Sequence, residues 1–232
     1  MAYPYAITLW HQPGLRPWFD GGISQVSPVF SYSCASTCDT RADISGMNRQ
    51  PVLQDDWIIL TPLRPEEFEE LFSVANDPLI WEQHPNPDRW KRDVFRTYFD
   101  GALASGGAFM IRDKATGSAI GSSRLYDHDP VASEVKIGYT FFSRDRWGTG
   151  TNHRVKRLMM DHAFKEVKYV IFHVGAQNMR SRIAMERLGA ELIGEQEVAY
   201  FGEPPKTNVV YRITAPHSNA ESGIRNPAPQ AT

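Results

Sequence analysis

The spacing of hydrophobic positions changes along the chain, and each change marks an element. Trp57-Ile58-Ile59-Leu60-Thr61-Pro62-Leu63 predicts a strand, stopped by Pro65. Pro65 at a first helical position, with Glu66 and Glu67 in the first turn, predicts a helix through about Ala75. Its apolar stripe is Phe68, Leu71, Phe72 and Ala75. A second helix is expected from Asp88 as N-cap to about Ala104, burying Trp90, Val94, Tyr98 and Ala102. Strands follow near 107–113, 118–126 and 133–142, with residues 113–117 as the hairpin turn between the first two.

The next helix is expected from about Gly148 to Lys165, with Val155, Leu158, Met159, His162 and Ala163 on one face against Arg154, Lys156, Arg157 and Asp161. Tyr169 to Val174 is a continuous apolar, β-branched run, as in a strand buried on both faces. Asn178 caps a helix to Leu188, Gly189 is its C′ residue, and strands near 190–201 and 207–213 close the pattern. The order β-α-α-β-β-β-α-β-α-β-β predicts an α/β (α+β) mixture whose largely antiparallel sheet is crossed by one βαβ unit.

The two ends read differently. Residues 1–50 hold no lysine and show neither a helical nor a strand period, which predicts a poorly structured extension before a domain at 51–214. Met47 stands where the ordered pattern begins and is expected to be the physiological start, with 1–46 an over-long gene reading; a dominant full-length species by intact mass would reject this. Residues 215–232, rich in Pro, Asn, Ser and Ala, read as a flexible tail.

Composition narrows the classes. A 232-residue chain with 41% hydrophobic and 12% aromatic residues can pack a core. A net charge of −2 supplies no general field for nucleic acid, and no apolar run is long enough to span a bilayer, so the expected location is the cytoplasm. Cys34 and Cys38 have no second pair to complete a zinc site and read as reduced thiols; no metal is expected.

The chemistry concentrates in Arg144-Asp145-Arg146-Trp147-Gly148-Thr149-Gly150-Thr151-Asn152. A glycine turn opening a helix holds phosphate, because the backbone comes close and free N–H groups point along the positive end of the dipole. A P-loop would need a lysine and a hydroxyl residue directly after its second glycine, and a dinucleotide fingerprint a third glycine in a parallel sheet; neither is present.

Together with Ile120-Gly121-Ser122-Ser123-Arg124-Leu125-Tyr126, Ile137-Gly138-Tyr139-Thr140, Asn178-Met179-Arg180-Ser181-Arg182 and Arg187-Leu188-Gly189-Ala190, this turn makes segment 53–214 resemble the GNAT acetyltransferase superfamily, and more closely its RimJ/RimL-type branch. The resemblance implies a mixed, mostly antiparallel sheet flanked by helices. It also implies a V-shaped split between the strand ending near Phe142 and the strand starting near Tyr169. Acetyl-CoA would be the co-substrate. Its pantetheine arm would pair with the backbone of Ile137 to Phe142, including Tyr139 and Phe141, and its pyrophosphate would sit on the N–H groups of Trp147, Gly148, Thr149, Gly150 and Thr151. Asn152 and Asn178 match family asparagines, Asn178 being expected to reach the pantetheine or the sulfur region, and Arg144 and Arg146 adjoin the loop where the family's own Arg/Gln position falls on Asp145.

Acetyl transfer to an amine needs a neutral nucleophile, although an α-amine has a pKa of about 8 and lysine about 10.4. It also needs donors to the thioester oxygen and a proton or hydrogen bond for the leaving thiolate, but neither a metal nor a covalent enzyme intermediate. The family's glutamate before Ile-Gly-Tyr is Lys136 here; Glu134, leaving the same strand face, is the candidate base, against a solvent-facing carboxylate as the plain alternative. The family's tyrosine on the late helix is Met185, which cannot donate; Ser181 is the candidate for the thiolate, against an ordinary helix-start hydroxyl, with Tyr139 a weaker alternative. His162 and His173 read as packing residues; Arg124, Tyr126, Asp127 and His128 are expected on the acceptor side, Arg154 and Arg182 as further cations. Glu66, Glu67, Glu69 and Glu70 form either an attraction for a cationic acceptor or a solvated helix face.

The expected activity is acetyl-CoA-dependent N-acetylation of a primary amine, a protein N-terminus or a small molecule, by direct attack. The competing readings are a non-catalytic acyl-CoA-binding module, favoured by Met185 and Lys136, and transfer of a longer acyl chain into a pocket shaped by Met110, Phe141 and Phe142.

Overall fold

The computed structural model describes residues 46–199 and 204–216. The expectations for residues 1–45, for Cys34 and Cys38, and for the tail beyond 216 lie outside the described residues.

The elements run β1 (Leu53–Gln54), β2 (Ile58–Pro62), α1 (Phe68–Ala75, entered through a 3₁₀ turn at Pro65–Glu67), α2 (Pro78–Trp81), α3 (Arg92–Ala104), β3 (Ala108–Asp113), β4 (Ala119–Asp129), β5 (Glu134–Phe142), α4 (Thr151–Ala163), β6 (Tyr169–Gly175), α5 (Met179–Arg187), β7 (Glu191–Val198) and β8 (Lys206–Thr214). Among the described residues they form one eight-stranded sheet in the order β1-β2-β3-β4-β5-β6-β8-β7. Every neighbouring pair is antiparallel except β5 and β6, the parallel pair joined through α4. The sheet is therefore the mixed, mostly antiparallel one expected.

Strand alternation gives the sheet two buried faces. Phe109 and Ile111 enter the core formed with Val155, Met159 and Ala163 of α4 and Met185 of α5. Ala108 and Met110, one residue out of step, enter the aromatic core formed with Phe68 and Leu71 of α1, Trp81 of α2, and Phe95, Tyr98 and Phe99 of α3. Met47 is buried in the first core, so the packed chain already includes residues before Pro51. His162 hydrogen-bonds through Nε2 to the Asn48 carbonyl at 2.7 Å.

Three expectations shift. The second helix starts at Arg92 rather than at Asp88, whose carbonyl instead accepts the Lys91 N–H in a turn. Its buried stripe is Phe95, Tyr98, Phe99 and Ala102, because the facing core is aromatic; Trp90 is 37% exposed. α2 is an element the pattern did not suggest, a single turn with Pro78 at N1 and the Asp77 side chain accepting from Leu79 N at 3.0 Å. Lys156, grouped above with the polar face of α4, is buried at 3% exposure.

Candidate active site

β5 and β6 pair only at Glu134↔Tyr169, Val135↔Val170 and Lys136↔Ile171. β5 continues to Phe142 and β6 to Gly175, so beyond Lys136 and Ile171 the strands part. Each is anchored on its outer side, β5 by β4 and β6 by β8 along its whole length. Among the described residues, β5 beyond Lys136 thus faces a cleft rather than β6. An edge of this kind offers backbone donors and acceptors to an extended ligand.

A bulge sits on this edge. Phe141 pairs with Ser122 and Gly138 with Arg124, so β5 has one residue more than β4 across the interval. The extra length falls at Tyr139, whose φ is +54°. Three side chains hold this conformation. Tyr98 Oη donates to the Tyr139 carbonyl at 2.9 Å, Thr140 Oγ1 and Ser123 Oγ are 2.7 Å apart, and Lys156 Nζ donates to Thr140 Oγ1 at 2.6 Å.

The cleft encloses about 610 Å³. Of the expected site residues, Ile137, Tyr139, Phe141, Arg146, Trp147, Gly148, Gly150, Asn152, Asn178 and Ser181 line it. Glu134, Arg144, Thr149 and Thr151 are not among its walls. Glu134 lies in the paired end of the split, opposite Tyr169, before the strands separate. Arg144 is held by the Asp77 carboxylate. Arg146 reaches the cleft but its guanidinium pairs with Asp113 at 2.8 Å. The Thr149 and Thr151 hydroxyls bond each other at 2.8 Å, and Thr149 faces a second hollow beside Arg154 and Arg157.

The turn itself has the geometry that its glycines predict. Gly148 and Gly150 have φ of +74° and +84°, and Gly150 is the N-cap of α4. A Cβ built on either meets nothing within 4 Å, so the backbone there is open to an approaching group. Across the cleft, Arg180 of α5 lies 4.0 Å over the Trp147 ring and pairs with Glu82 at 2.7 Å. Asn178 Oδ1 accepts from Ser181 N at 3.1 Å; the helix is therefore capped by Asn178 and not by the Ser181 hydroxyl.

Met110 is fully buried in the aromatic core, while Phe141 and Phe142 do line the cleft. Arg154 pairs with Asp55, and Arg182 donates to the Ala176 carbonyl; neither lines the cleft. Tyr126 does, whereas Arg124 is buried with its guanidinium 3.8 Å from the Tyr139 ring, and Asp127 and His128 are outside the walls. Glu67 and Glu70 pair with Arg112, and Glu69 with Arg92, so these three glutamates are engaged in ion pairs.

The pattern missed several wall residues. Trp81, His84, Pro85 and Arg89 come from the unrecognised α2 region, and Lys156 from a helix face read as polar. Its spacing of four from Asn152 puts both on one side of α4, a signal available in the sequence. Burial brings the Lys156 ammonium down to about 7. Burial and the nearby Arg89 hold His84 well below the usual histidine range. His173 is lowered by burial and by Lys136, and burial raises the Tyr139 phenol.

Among the described residues no group of three or more His, Cys, Asp or Glu is placed to hold a metal, and no helix is long and apolar enough to cross a membrane.

No curated protein sequence matches the chain. Solved structures do. A probable GNAT-family acetyltransferase from Chromobacterium violaceum superposes with a TM-score of 0.64 at 20% identity, over 81% of this chain and 97% of the other. A putative ribosomal-protein-serine acetyltransferase from Vibrio cholerae gives 0.57 at 16%, over 73% and 100%. The microcin C7 self-immunity acetyltransferase MccE, in complex with acetyl-CoA and AMP, gives 0.58 at 14%, over 69% and 94%. These likenesses establish the fold. The model of the acetyltransferase (GNAT) domain matches residues 58–191, a span holding the forked strands, the glycine turn and α5, and the chain accordingly belongs to the GNAT acetyltransferase family.

Proposed function

We propose that the chain transfers the acetyl group of acetyl-CoA to a primary amine by direct attack within a ternary complex. One observation carries this reading: a bulged β5 edge that has parted from β6 leads to an open glycine turn at the N-terminus of a 13-residue helix. In this reading the pantetheine amides pair with the edge from Ile137 to Phe142. The pyrophosphate lies on the N–H groups between Trp147 and Thr151, where the helix dipole favours anions. Asn152 and Asn178 approach the cofactor from the two sides of the cleft.

Ser181 acts on the sulfur as a hydrogen-bond donor to the leaving thiolate. Its support is its place in the cleft wall beside Met185, which cannot donate. The position of Glu134 within the paired end gives no support for a direct base role. The acceptor is a protein N-terminus or a small amine. Resemblance to the RimJ/RimL branch and fold likeness to a putative ribosomal-protein-serine acetyltransferase keep peptides in the set to be tested.

Calorimetric titration of the full chain with acetyl-CoA and CoA, followed by thiol release over a panel of peptides, polyamines, aminoglycosides and amino acids, tests the reading. Binding with turnover of one amine class is the expected result. Tight binding without release favours the acyl-CoA-binding module, and absence of binding overturns the cleft assignment.

A further inference from the structure

We infer that His173 is the proton acceptor of the transfer, a role that rests on the acetyl-transfer reading above. His173 lies two residues past Ile171, the last β6 residue paired with β5, and so stands where the split has opened. Its neighbours Phe172 and Val174 enter the core beneath α4. By strand alternation His173 leaves the opposite face, the one carrying Phe141 and the α1–α3 core. It shares the cleft wall with Tyr126, Tyr139 and Phe141.

The imidazole is half-buried. Nδ1 is sealed from solvent without a hydrogen-bond partner, while the residue lines the cleft; we take Nε2 as the nitrogen that accepts the proton. A cleft-facing histidine with one unsatisfied buried nitrogen is costly in a purely structural role. The charged groups bearing on it are Lys136 of β5 and Asp127 of β4, themselves paired at 3.0 Å; its register partner on β8 is the uncharged Val210. Burial and Lys136 both disfavour the imidazolium, so the ring is neutral at neutral pH and able to accept a proton.

The step balances. The amine nitrogen bonds to the thioester carbonyl carbon and its proton passes to Nε2 of His173. The carbon–sulfur bond then breaks, the thiolate leaves and takes up a proton to become the CoA thiol, and the imidazolium returns its proton to solvent. Glu134, in the closed end of the split, is not needed.

Two measurements on the full chain test the assignment. In the first, histidine ring nitrogens are followed by NMR, with His173 identified from its loss in His173→Gln. A neutral His173 at pH 7 whose resonance moves on adding acetyl-CoA is expected. A protonated ring, or an unmoved one while acetyl-CoA binds, overturns the proposal. In the second, the amine turned over fastest by the wild type is used across pH. His173→Gln should keep acetyl-CoA affinity, lose on the order of 10²-fold or more in kcat/KM, and lose the acid limb of the pH profile. Added imidazole should restore part of the rate to His173→Ala. An unchanged limb in His173→Gln overturns the proposal while leaving acetyl transfer intact; failure of acetyl-CoA to bind instead strikes the reading on which it rests.

Discussion

Lys156 Nζ donates a 2.6 Å hydrogen bond to Oγ1 of Thr140, joining helix α4 to the bulged edge of β5 across the floor of the cleft. The ammonium also lies 5.3 Å from the Phe172 ring and is 3% exposed. A cation this deep, with burial as the cause of its pKa near 7, makes stability depend on pH.

The sign follows from the two states. In the unfolded chain the lysine holds its proton up to about pH 10.4, while in the folded chain it gives it up near 7. Between those values the unfolded state binds more protons, so stability rises with pH, by at most about 1.4 kcal/mol per unit. The penalty is fully present below pH 7 and absent above the unfolded value. Urea titrations at pH 7, 8 and 9 should show this rise, and Lys156→Met should flatten it. Equal slopes in the two proteins would refute the burial effect.

His84 acts in the acid range. Its ring receives the Asn86 N–H at Nδ1 at 2.9 Å, with Arg89 Nη1 3.2 Å from Nε2. Burial and that arginine keep it neutral when the unfolded chain has already protonated. Stability is therefore present above about pH 6.5 and lost as pH falls below it. His84→Gln should shrink the loss between pH 6.5 and 5, and His173, shifted in the same direction, should account for part of what remains. Chemical denaturation at stepped pH reads both.

Tyr98→Phe removes the 2.9 Å bond to the Tyr139 carbonyl and leaves the ring in the aromatic core. The expected loss is about 0.5–1.5 kcal/mol of stability, together with weaker acetyl-CoA binding, because the bulge that shapes the cleft edge loses a fixed point. Wild-type affinity in the variant would mean that Lys156 and Ser123 hold the bulge alone.

Gly150→Ala keeps the space free, since its Cβ meets nothing within 4 Å, but places a side chain at φ +84°. The strain is about 1–2 kcal/mol. The melting temperature should drop, and acetyl-CoA affinity should fall further than in Gly117→Ala, which has φ +72° in the β3–β4 turn and is not among the cleft walls. Equal effects on affinity would remove the special role of the glycine turn.

Much of this protein was legible in local pattern. The strand-forming runs, the helix opened by the glycine turn and the cap at Asn178 lie where the pattern predicts, because short-range periodicity, φ requirements and capping are properties of neighbouring residues. The start of α3 was misread for the complementary reason. Asp88 is a good cap locally, but the facing aromatic core selects Phe95 and Phe99 over Trp90 and Val94 for burial.

The cleft lies on the same boundary. Resemblance over the glycine turn and neighbouring blocks located the edge and the turn, since these are continuous in sequence. The order of elements and the backbone conformations that particular residues demand are properties of neighbouring residues. Which further side chains meet inside the fork, and which expected ones stay out of it, depends on tertiary contacts. β5 and β6 separate after Lys136 and Ile171, and that divergence leaves Glu134 in the closed end, turns His173 to the opening and seals Lys156 beneath Thr140. Charge, exposure and pKa at those positions are set by partners distant along the chain, so no local reading of the residues contains them.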